Sequence, residues 1–235
     1  MSQIDVILPT YNQKEFLDRA IMGILDQEFK DFSFIIVEDG SSDGTEKILD
    51  QRYSDIDSRI TIIYNGHNKG LPVSLNIGHA NGKSPYCMWI STDNFSYKNQ
   101  LRVLHEYITK NDWDFVQSSW RGILNGVGTV HNSSKGRGKG SFGFGNLGPS
   151  FLYRRKVWET YHYDENMMVL EDLKFYHQAL LHPFKFGCIE ECLMDYYNQP
   201  NSLTVHGNPK RRYQDMMNEV YRTIIVPYLE KQKSS

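Results

Sequence analysis

The sequence predicts one α/β domain whose mainly parallel central sheet is flanked by helices. Three observations carry that prediction. Short apolar runs alternate with stretches of helical period through the first half of the chain. Each of three of these runs stops at a cluster of polar residues, as buried strands do when they reach the surface. The length of 235 residues suits one domain with a short appendage.

The elements follow in order. Residues 4–8 form an apolar run closed by Pro9-Thr10, and residues 14–26 place Phe16, Leu17, Ala20, Ile21, Ile24 and Leu25 on one helical face. A second β-rich run, 32–37, stops at Glu38-Asp39-Gly40. Asp43-Gly44-Thr45-Glu46 then resembles a capping box and opens a helix through Ile48 and Leu49. Strands are expected at 60–64, 86–90 and 114–118, and helices at 71–80 and 101–109. Strands separated by helices imply βαβ units and parallel pairing. Residues 122–148, rich in Gly, Ser, Asn and Lys, read as a long mobile loop. Patterning resumes with a strand at 151–153, a helix at 170–181 and a strand at 189–197. A C-terminal helix is expected over 210–229, with Tyr213, Met216, Met217, Val220, Tyr221 and Ile224 at helical spacing. The expected division is a domain over 1–206, in halves meeting near residue 95, and a helical extension over 207–235.

Composition narrows the function classes. A formal net charge of −2 gives no global basic field, so nucleic acid is not an expected partner. No apolar run approaches the roughly 20 residues of a membrane span, so no integral membrane segment is expected. The sequence opens almost directly into a strand without a signal-peptide pattern. The expected location is cytoplasmic, with peripheral membrane contact through an acceptor left open. Cys87, Cys188 and Cys192 are too few for a disulfide framework and read as ordinary thiols.

In open parallel sheets, ligands gather at the carboxyl ends of the strands. There the chain carries Thr10-Tyr11-Asn12, Glu38 through Thr45, and Ser91-Thr92-Asp93-Asn94. Such carboxylates can accept bonds from a base or ribose, or bridge Mg²⁺ or Mn²⁺ to phosphates. Asp43 reads better as a helix cap, whereas Asp39 and Asp93 read as functional because two separate strands converge on them. Gly143-Phe144-Gly145-Asn146-Leu147-Gly148 fits G-x-G-x-x-G but follows no strand of a βαβ unit, so no dinucleotide site is expected. Gly82-Lys83-Ser84 fails as a phosphate loop because Ile77 stands where the leading glycine belongs. Lys135, Arg137 and Lys139 form a small basic cluster that reads as solvated unless a phosphate lies nearby.

Together these motifs resemble the family 2 inverting glycosyltransferases. Ile7-Leu8-Pro9-Thr10-Tyr11-Asn12 and the segment from Val37 to Thr45 are similar to that family's opening. Asn68-Lys69-Gly70-Leu71, with Ser74, Leu75, Asn76 and Gly78, resembles its next segment. Ser91-Thr92-Asp93-Asn94 sits where its D-x-D metal motif belongs. Tyr163-Asp164-Glu165 with Leu170-Glu171-Asp172-Leu173, then Tyr196-Tyr197-Asn198 with Ser202 and Leu203, resemble its acidic helix start and closing strand. The likeness runs from about residue 4 to 206. It implies a GT-A-type, Rossmann-like domain with a nucleotide-binding half to about residue 95 and an acceptor-binding half beyond.

The resemblance also implies roles. Pro9, Thr10, Tyr11 and Asp39, with Asn68 and Thr92, would hold the nucleotide of a UDP-, GDP- or dTDP-sugar. Asp93 would bind Mn²⁺ or Mg²⁺ at the donor diphosphate, with His206 as a further metal or diphosphate ligand. Asp172 would be the general base toward an acceptor hydroxyl on a glycan, lipid-linked molecule or protein. Two departures stand out: Ser91 replaces an acid of the metal motif, and Glu38 replaces a more usual Asp. Adjacent acids on one helix point roughly 100° apart, so only one of Glu171 and Asp172 faces a reacting hydroxyl; the resemblance selects Asp172. Trp120 is a candidate acceptor platform. Two other readings share the architecture: a non-catalytic sugar-nucleotide or carbohydrate-binding module, and a nucleotidyltransferase. The latter normally wants a Gly-rich phosphate loop after the first strand, which Thr10-Tyr11-Asn12-Gln13 is not.

Overall fold

The computed structural model describes residues 2–124, 126–131, 148–167, 169–197 and, near the end, 218–219, 221–227 and 230. Its first half runs β1 (Ile4–Thr10), α1 (Lys14–Leu25), β2 (Phe32–Glu38), α2 (Thr45–Arg52), β3 (Ile60–Tyr64), α3 (Leu71–Asn81) and β4 (Tyr86–Trp89). The second half runs β5 (Phe95–Ser96), α4 (Gln100–Lys110), β6 (Phe115–Leu124), β7 (Val127–His131), β8 (Phe151–Arg154), α5 (Arg155–Thr160), α6 (Glu171–Leu181) and β9 (Phe186–Tyr197). The sheet order is β3-β2-β1-β4-β8-β6-β9-β5, with β7 beside β6.

Strands β3, β2, β1 and β4 pair in parallel. Beyond β4 the sheet is mixed: β8 runs antiparallel to both β4 and β6, while β9 returns parallel to β6. The chain leaves β1 toward β2 and β3, then crosses to place β4 on β1's other side. That reversal opens a crevice at the carboxyl ends of β1 and β4.

Alternate β1 residues face opposite layers, and both layers are largely apolar, which is why the strand reads as an apolar run broken only by Asp5. Ile4, Val6 and Leu8 join Leu17, Ile21 and Ile24 of α1 and Leu101 and Leu104 of α4. Ile7 joins Leu75 of α3, Val157 of α5 and Phe175 and Tyr176 of α6. Gly78 lets α3 sit close on the sheet, since a Cβ there would lie 2.4 Å from Ile7 Cγ2 and 3.3 Å from Val37 Cγ2. Gly78→Ala is therefore expected to lower the melting temperature by about 3–10 °C, as overpacking costs about 1–3 kcal/mol. Differential scanning calorimetry measures it.

The amino ends of the strands are tied by a polar cluster. Buried Asp5 accepts bonds from Ser84 N and Oγ at 2.8 and 2.6 Å and pairs with Arg155, which also donates to Ser84 O and His79 O. His79 bonds Leu75 O through Nδ1 at 2.7 Å and Tyr153 Oη through Nε2 at 2.6 Å. Burial lowers the His79 pKa to about 3, so the ring is neutral. Gly82-Lys83-Ser84 thus closes α3 and anchors Asp5.

Several expectations change. Part of the anticipated loop at 122–148 is ordered: Gly122–Leu124 finish β6, and Val127–His131 form β7, pairing antiparallel with β6 from Leu124↔Val127 to Trp120↔His131. Hairpin pairing supplies the backbone bonds that its Gly-rich composition did not advertise. Neither α5 nor the two-residue β5 was foreseen. Asp43 forms a side-chain turn rather than a reciprocal capping box: Oδ1 accepts from Thr45 N and Oγ1, and Oδ2 from Lys14 N. Near the C-terminus, Tyr221–Ile225 form a π-helical turn beside α6. Ile224 is buried there but Tyr221 is 54% exposed, because the wider turn breaks the 3.6-residue spacing that put them on one face. The expected domain boundary at 206/207 lies outside the described residues.

Candidate active site

The strand ends at the crevice are linked by backbone bonds: Asp39 N donates to Thr10 O and Asn65 N to Glu38 O, each at 2.9 Å. Asp39 organises one wall. Its Oδ1 accepts from Asn65 Nδ2 (2.8 Å) and Lys69 N (2.9 Å), and Oδ2 from Gly70 N (2.9 Å). A carboxylate offers about four acceptor positions, so one remains beyond these three. Asn65 Nδ2 also reaches Ser74 Oγ at 3.0 Å, fastening the loop to α3.

Glu38, noted as a departure, folds back on its own loop and accepts from Gly40 N and Ser41 N at 2.9 and 2.7 Å. Gly40 has φ +74°, and a Cβ there would stand 2.4 Å from His67 Cα and 2.8 Å from Asn68 N. Only glycine lets the two loops touch. Asn68 is exposed, and its Oδ1 accepts from Gly70 N at 2.9 Å. Asn12 joins the neighbouring loop, receiving Ser42 N at 2.8 Å and donating its N–H to Ser41 Oγ at 2.9 Å.

Pro9 and Thr10 are buried at the end of β1, while Tyr11 is 42% exposed at the mouth. Thr10 Oγ1 is buried without a hydrogen-bond partner. Thr92 is buried too, and its hydroxyl donates to Pro9 O at 3.3 Å, joining the end of β4 to β1 from below. Asp93 is almost covered. Ser91 Oγ donates to its Oδ1 at 2.5 Å, the only side-chain hydrogen bond its carboxylate takes among the described residues. Burial pushes the Asp93 carboxyl up; the Ser91 hydroxyl and nearby Arg19 oppose that shift. Among the described residues no group of three His, Cys, Asp or Glu side chains gathers to hold a metal by itself. One carboxylate suits an ion that takes its remaining oxygens from phosphate and water, as Mg²⁺ and Mn²⁺ do.

A second acidic group stands at the start of α6. Leu170 precedes it with φ +64°, a left-handed conformation costing a bulky residue about 1–3 kcal/mol. That turn brings Glu171 and Asp172 in as the first helical residues. Glu171 is buried, whereas Asp172 keeps part of its surface open and accepts from Leu173 N at 2.7 Å. Burial pushes both carboxyls up, and the charge of Asp172 raises Glu171 further. Tyr163 stacks on Phe175 of α6 with ring centroids 4.5 Å apart, and the charges of Asp172 and Glu171 add to the burial that pushes its hydroxyl up.

Asn76 of α3 also joins the halves. Its Nδ2 donates to Tyr163 O (2.8 Å) and Glu165 Oε1 (3.0 Å), and its Oδ1 accepts from Tyr163 N (3.0 Å) and Trp158 Nε1 (3.1 Å). Sequence reasoning gave no role to Arg19, Asn65 or this bridging amide. For Asn65 a signal existed, because it follows β3 as Asp39 follows β2.

Trp120 is less open than a free platform. His131 stacks on it at 5.1 Å and 13°, and Gly148 lies so close that a Cβ would be 2.5 Å from the ring. His206, the basic cluster Lys135, Arg137 and Lys139, and most of the G-x-G-x-x-G segment lie outside the described residues. Among the described residues no helix is long and apolar enough to cross a membrane.

Comparison with known proteins shows the family and the fold. The model of the family described as Glycosyl transferase family 2 matches residues 5–177. An uncharacterized glycosyltransferase of Methanocaldococcus jannaschii is 27% identical over 86% of this chain and 73% of its own length. The putative teichuronic acid biosynthesis glycosyltransferase TuaG of Bacillus subtilis is 31% identical over 48% of this chain and 44% of its own. S. aureus TarS 1-349, solved in complex with UDP-GlcNAc, superposes with a TM-score of 0.79 at 18% identity, covering 95% of this chain and 66% of that one. The mannosyltransferase PcManGT of Pyrobaculum calidifontis, solved with GDP-Man and Mn²⁺, gives 0.64 at 12% identity, covering 99% and 64%. The chain thus spans less than half of TuaG and about two thirds of each solved neighbour. With the strand-end crevice and the acid-headed helix in place, the chain belongs to glycosyl transferase family 2, and its domain is a glycosyltransferase domain of the GT-A fold.

Proposed function

We propose that this domain transfers a sugar from a nucleoside diphosphate sugar to an acceptor hydroxyl with inversion at the anomeric carbon. The observation that carries the reading is that Asp39 and Asp93 follow β2 and β4, the two strands that flank β1, while α6 opens on the acid pair Glu171-Asp172. The solved neighbours, one holding UDP-GlcNAc and the other GDP-Man with Mn²⁺, support a nucleotide-sugar donor and a divalent ion.

In this reading the remaining acceptor position of Asp39 takes an N–H from the base edge, while Thr10 and Tyr11 form the floor and mouth of the base site. Asp93, with donor phosphate oxygens and water, would hold Mn²⁺ or Mg²⁺, which when bound neutralises charge on the departing diphosphate. Asp172 removes the acceptor proton as the acceptor oxygen bonds to the anomeric carbon. The bond from that carbon to the diphosphate oxygen breaks on the opposite side, and the electron pair leaves with the nucleoside diphosphate. One base and one in-line displacement give inversion.

The test is thermal stabilisation by UDP, GDP, CDP and dTDP, with and without Mn²⁺, on wild type and Asp93→Ala. One nucleotide is expected to raise the melting temperature by about 5–10 °C at a hundredfold excess over Kd, with Mn²⁺ present. Asp93→Ala should lose the Mn²⁺-dependent part. No response to any nucleotide would overturn the transferase reading in favour of a non-catalytic module.

A further inference from the structure

Arg19, on α1, is a cation brought to the crevice from a helix that supplies none of the proposed ligands. Its Nη2 donates a 2.6 Å hydrogen bond to the main-chain oxygen of Asp93. Its guanidinium lies over the Tyr197 ring, 4.4 Å from the centroid, and 5.4 Å from that of Phe16. Nε is buried without an acceptor. Tyr197 is held to the same loop by its backbone, since its N–H donates to Asn94 Oδ1 at 3.3 Å. The loop closes on itself through Asn94 N to Ser91 O at 3.2 Å and Ser91 Oγ to Asp93 Oδ1.

These contacts have one shared result. A planar guanidinium can stack and donate at once, which an ammonium cannot do in the same geometry. Arg19 therefore locks the carbonyl of Asp93 while gripping the last residue of β9. Because the loop carries a single acid, the aim of that carboxylate is not backed up by a second one. Fixing the peptide beside it removes freedom that ligand binding would otherwise have to freeze.

We propose that Arg19 is a positioning residue for the Asp93 loop, making the aim of that carboxylate depend on the end of β9 through Tyr197. The link to ion binding rests on the function proposed above; the tether itself does not. The test uses the full chain with Arg19→Met, Arg19→Lys, Tyr197→Ala and Tyr197→Phe. Hydrogen exchange of the unliganded protein is read over residues 91–97, and Mn²⁺ affinity is read in the presence of the stabilising nucleotide.

Arg19→Met and Tyr197→Ala should each speed exchange over 91–97 by about tenfold, leaving β1 unchanged. Arg19→Lys should fall between, and Tyr197→Phe, which keeps the ring, should match wild type. Mn²⁺ affinity should weaken by a similar factor in Arg19→Met. The Arg19→Met and Tyr197→Ala double variant should show little more than either single change. Wild-type exchange over 91–97 in Arg19→Met overturns the proposal, and so does faster exchange with unaltered Mn²⁺ affinity. If wild type binds no nucleotide or Mn²⁺ while the exchange result holds, the function proposed above fails and the tether stands.

Discussion

Asp172→Asn is expected to lower kcat by about 10²–10⁴-fold while donor affinity stays within about twofold, because the change removes only the proposed proton acceptor. A second effect separates this from misfolding. Burial raises the folded-state pKa of both Asp172 and Glu171 above their unfolded values. Groups shifted upward bind more protons when folded, so their stabilisation is present at low pH and lost as pH rises through the folded pKa. Removing a carboxyl that must ionise there should therefore raise the melting temperature at pH 8 and leave it nearly unchanged at pH 4. The wild-type rate should fall as pH drops through the raised Asp172 value, with its acid limb above the usual carboxylate range. Steady-state kinetics and melting curves over pH 4–9 provide both readouts. A variant that keeps its turnover would remove Asp172 as the base.

Asp39→Ala should be the most damaging change to the donor side. It strips the acceptor from Asn65 Nδ2, Lys69 N and Gly70 N together. Asn65 Nδ2 keeps Ser74 Oγ and Gly70 N keeps Asn68 Oδ1, so a loss of about 1–3 kcal/mol is expected in urea denaturation. Nucleotide affinity should fall by at least about a hundredfold, measured calorimetrically below the unfolding transition. Asp39→Asn should be milder in stability, since one carbonyl oxygen remains, yet it turns an amide N–H₂ toward existing donors. Undiminished nucleotide affinity in Asp39→Ala would move base recognition elsewhere in the crevice.

The nucleotide half was readable because its signals are local. β1 and β2 are mainly apolar runs, broken by Asp5 and Ser33, and Asp39 and Asp93 follow strands with little intervening chain. The second half was less readable because its elements depend on distant partners. β5 has two residues and exists by pairing with Phe95↔Asp195 and Ser96↔Met194 on β9. Every residue of β7 is exposed, and among the described residues its strand pairing is with β6. The same distinction divides the site. Asp43's side-chain turn spans two residues, whereas Arg19 reaches Asp93 across 74 positions and Asn76 reaches Tyr163 across 87. No pattern within a window of 11–18 residues can show such contacts. Trp120 was chosen for its ring, but its covering by His131 belongs to the hairpin.

The polar cluster of Asp5, Ser84, His79 and Arg155 lies at the amino ends of the strands, and the crevice lies at the carboxyl ends. Durability and specificity are therefore written at opposite poles of one sheet. In the function proposed above, substitutions around Tyr11, Asn68 or Ser91 would retune which donor is accepted while the far pole keeps the strands in register. Such a molecule can diversify its chemistry through its loops without renegotiating its architecture.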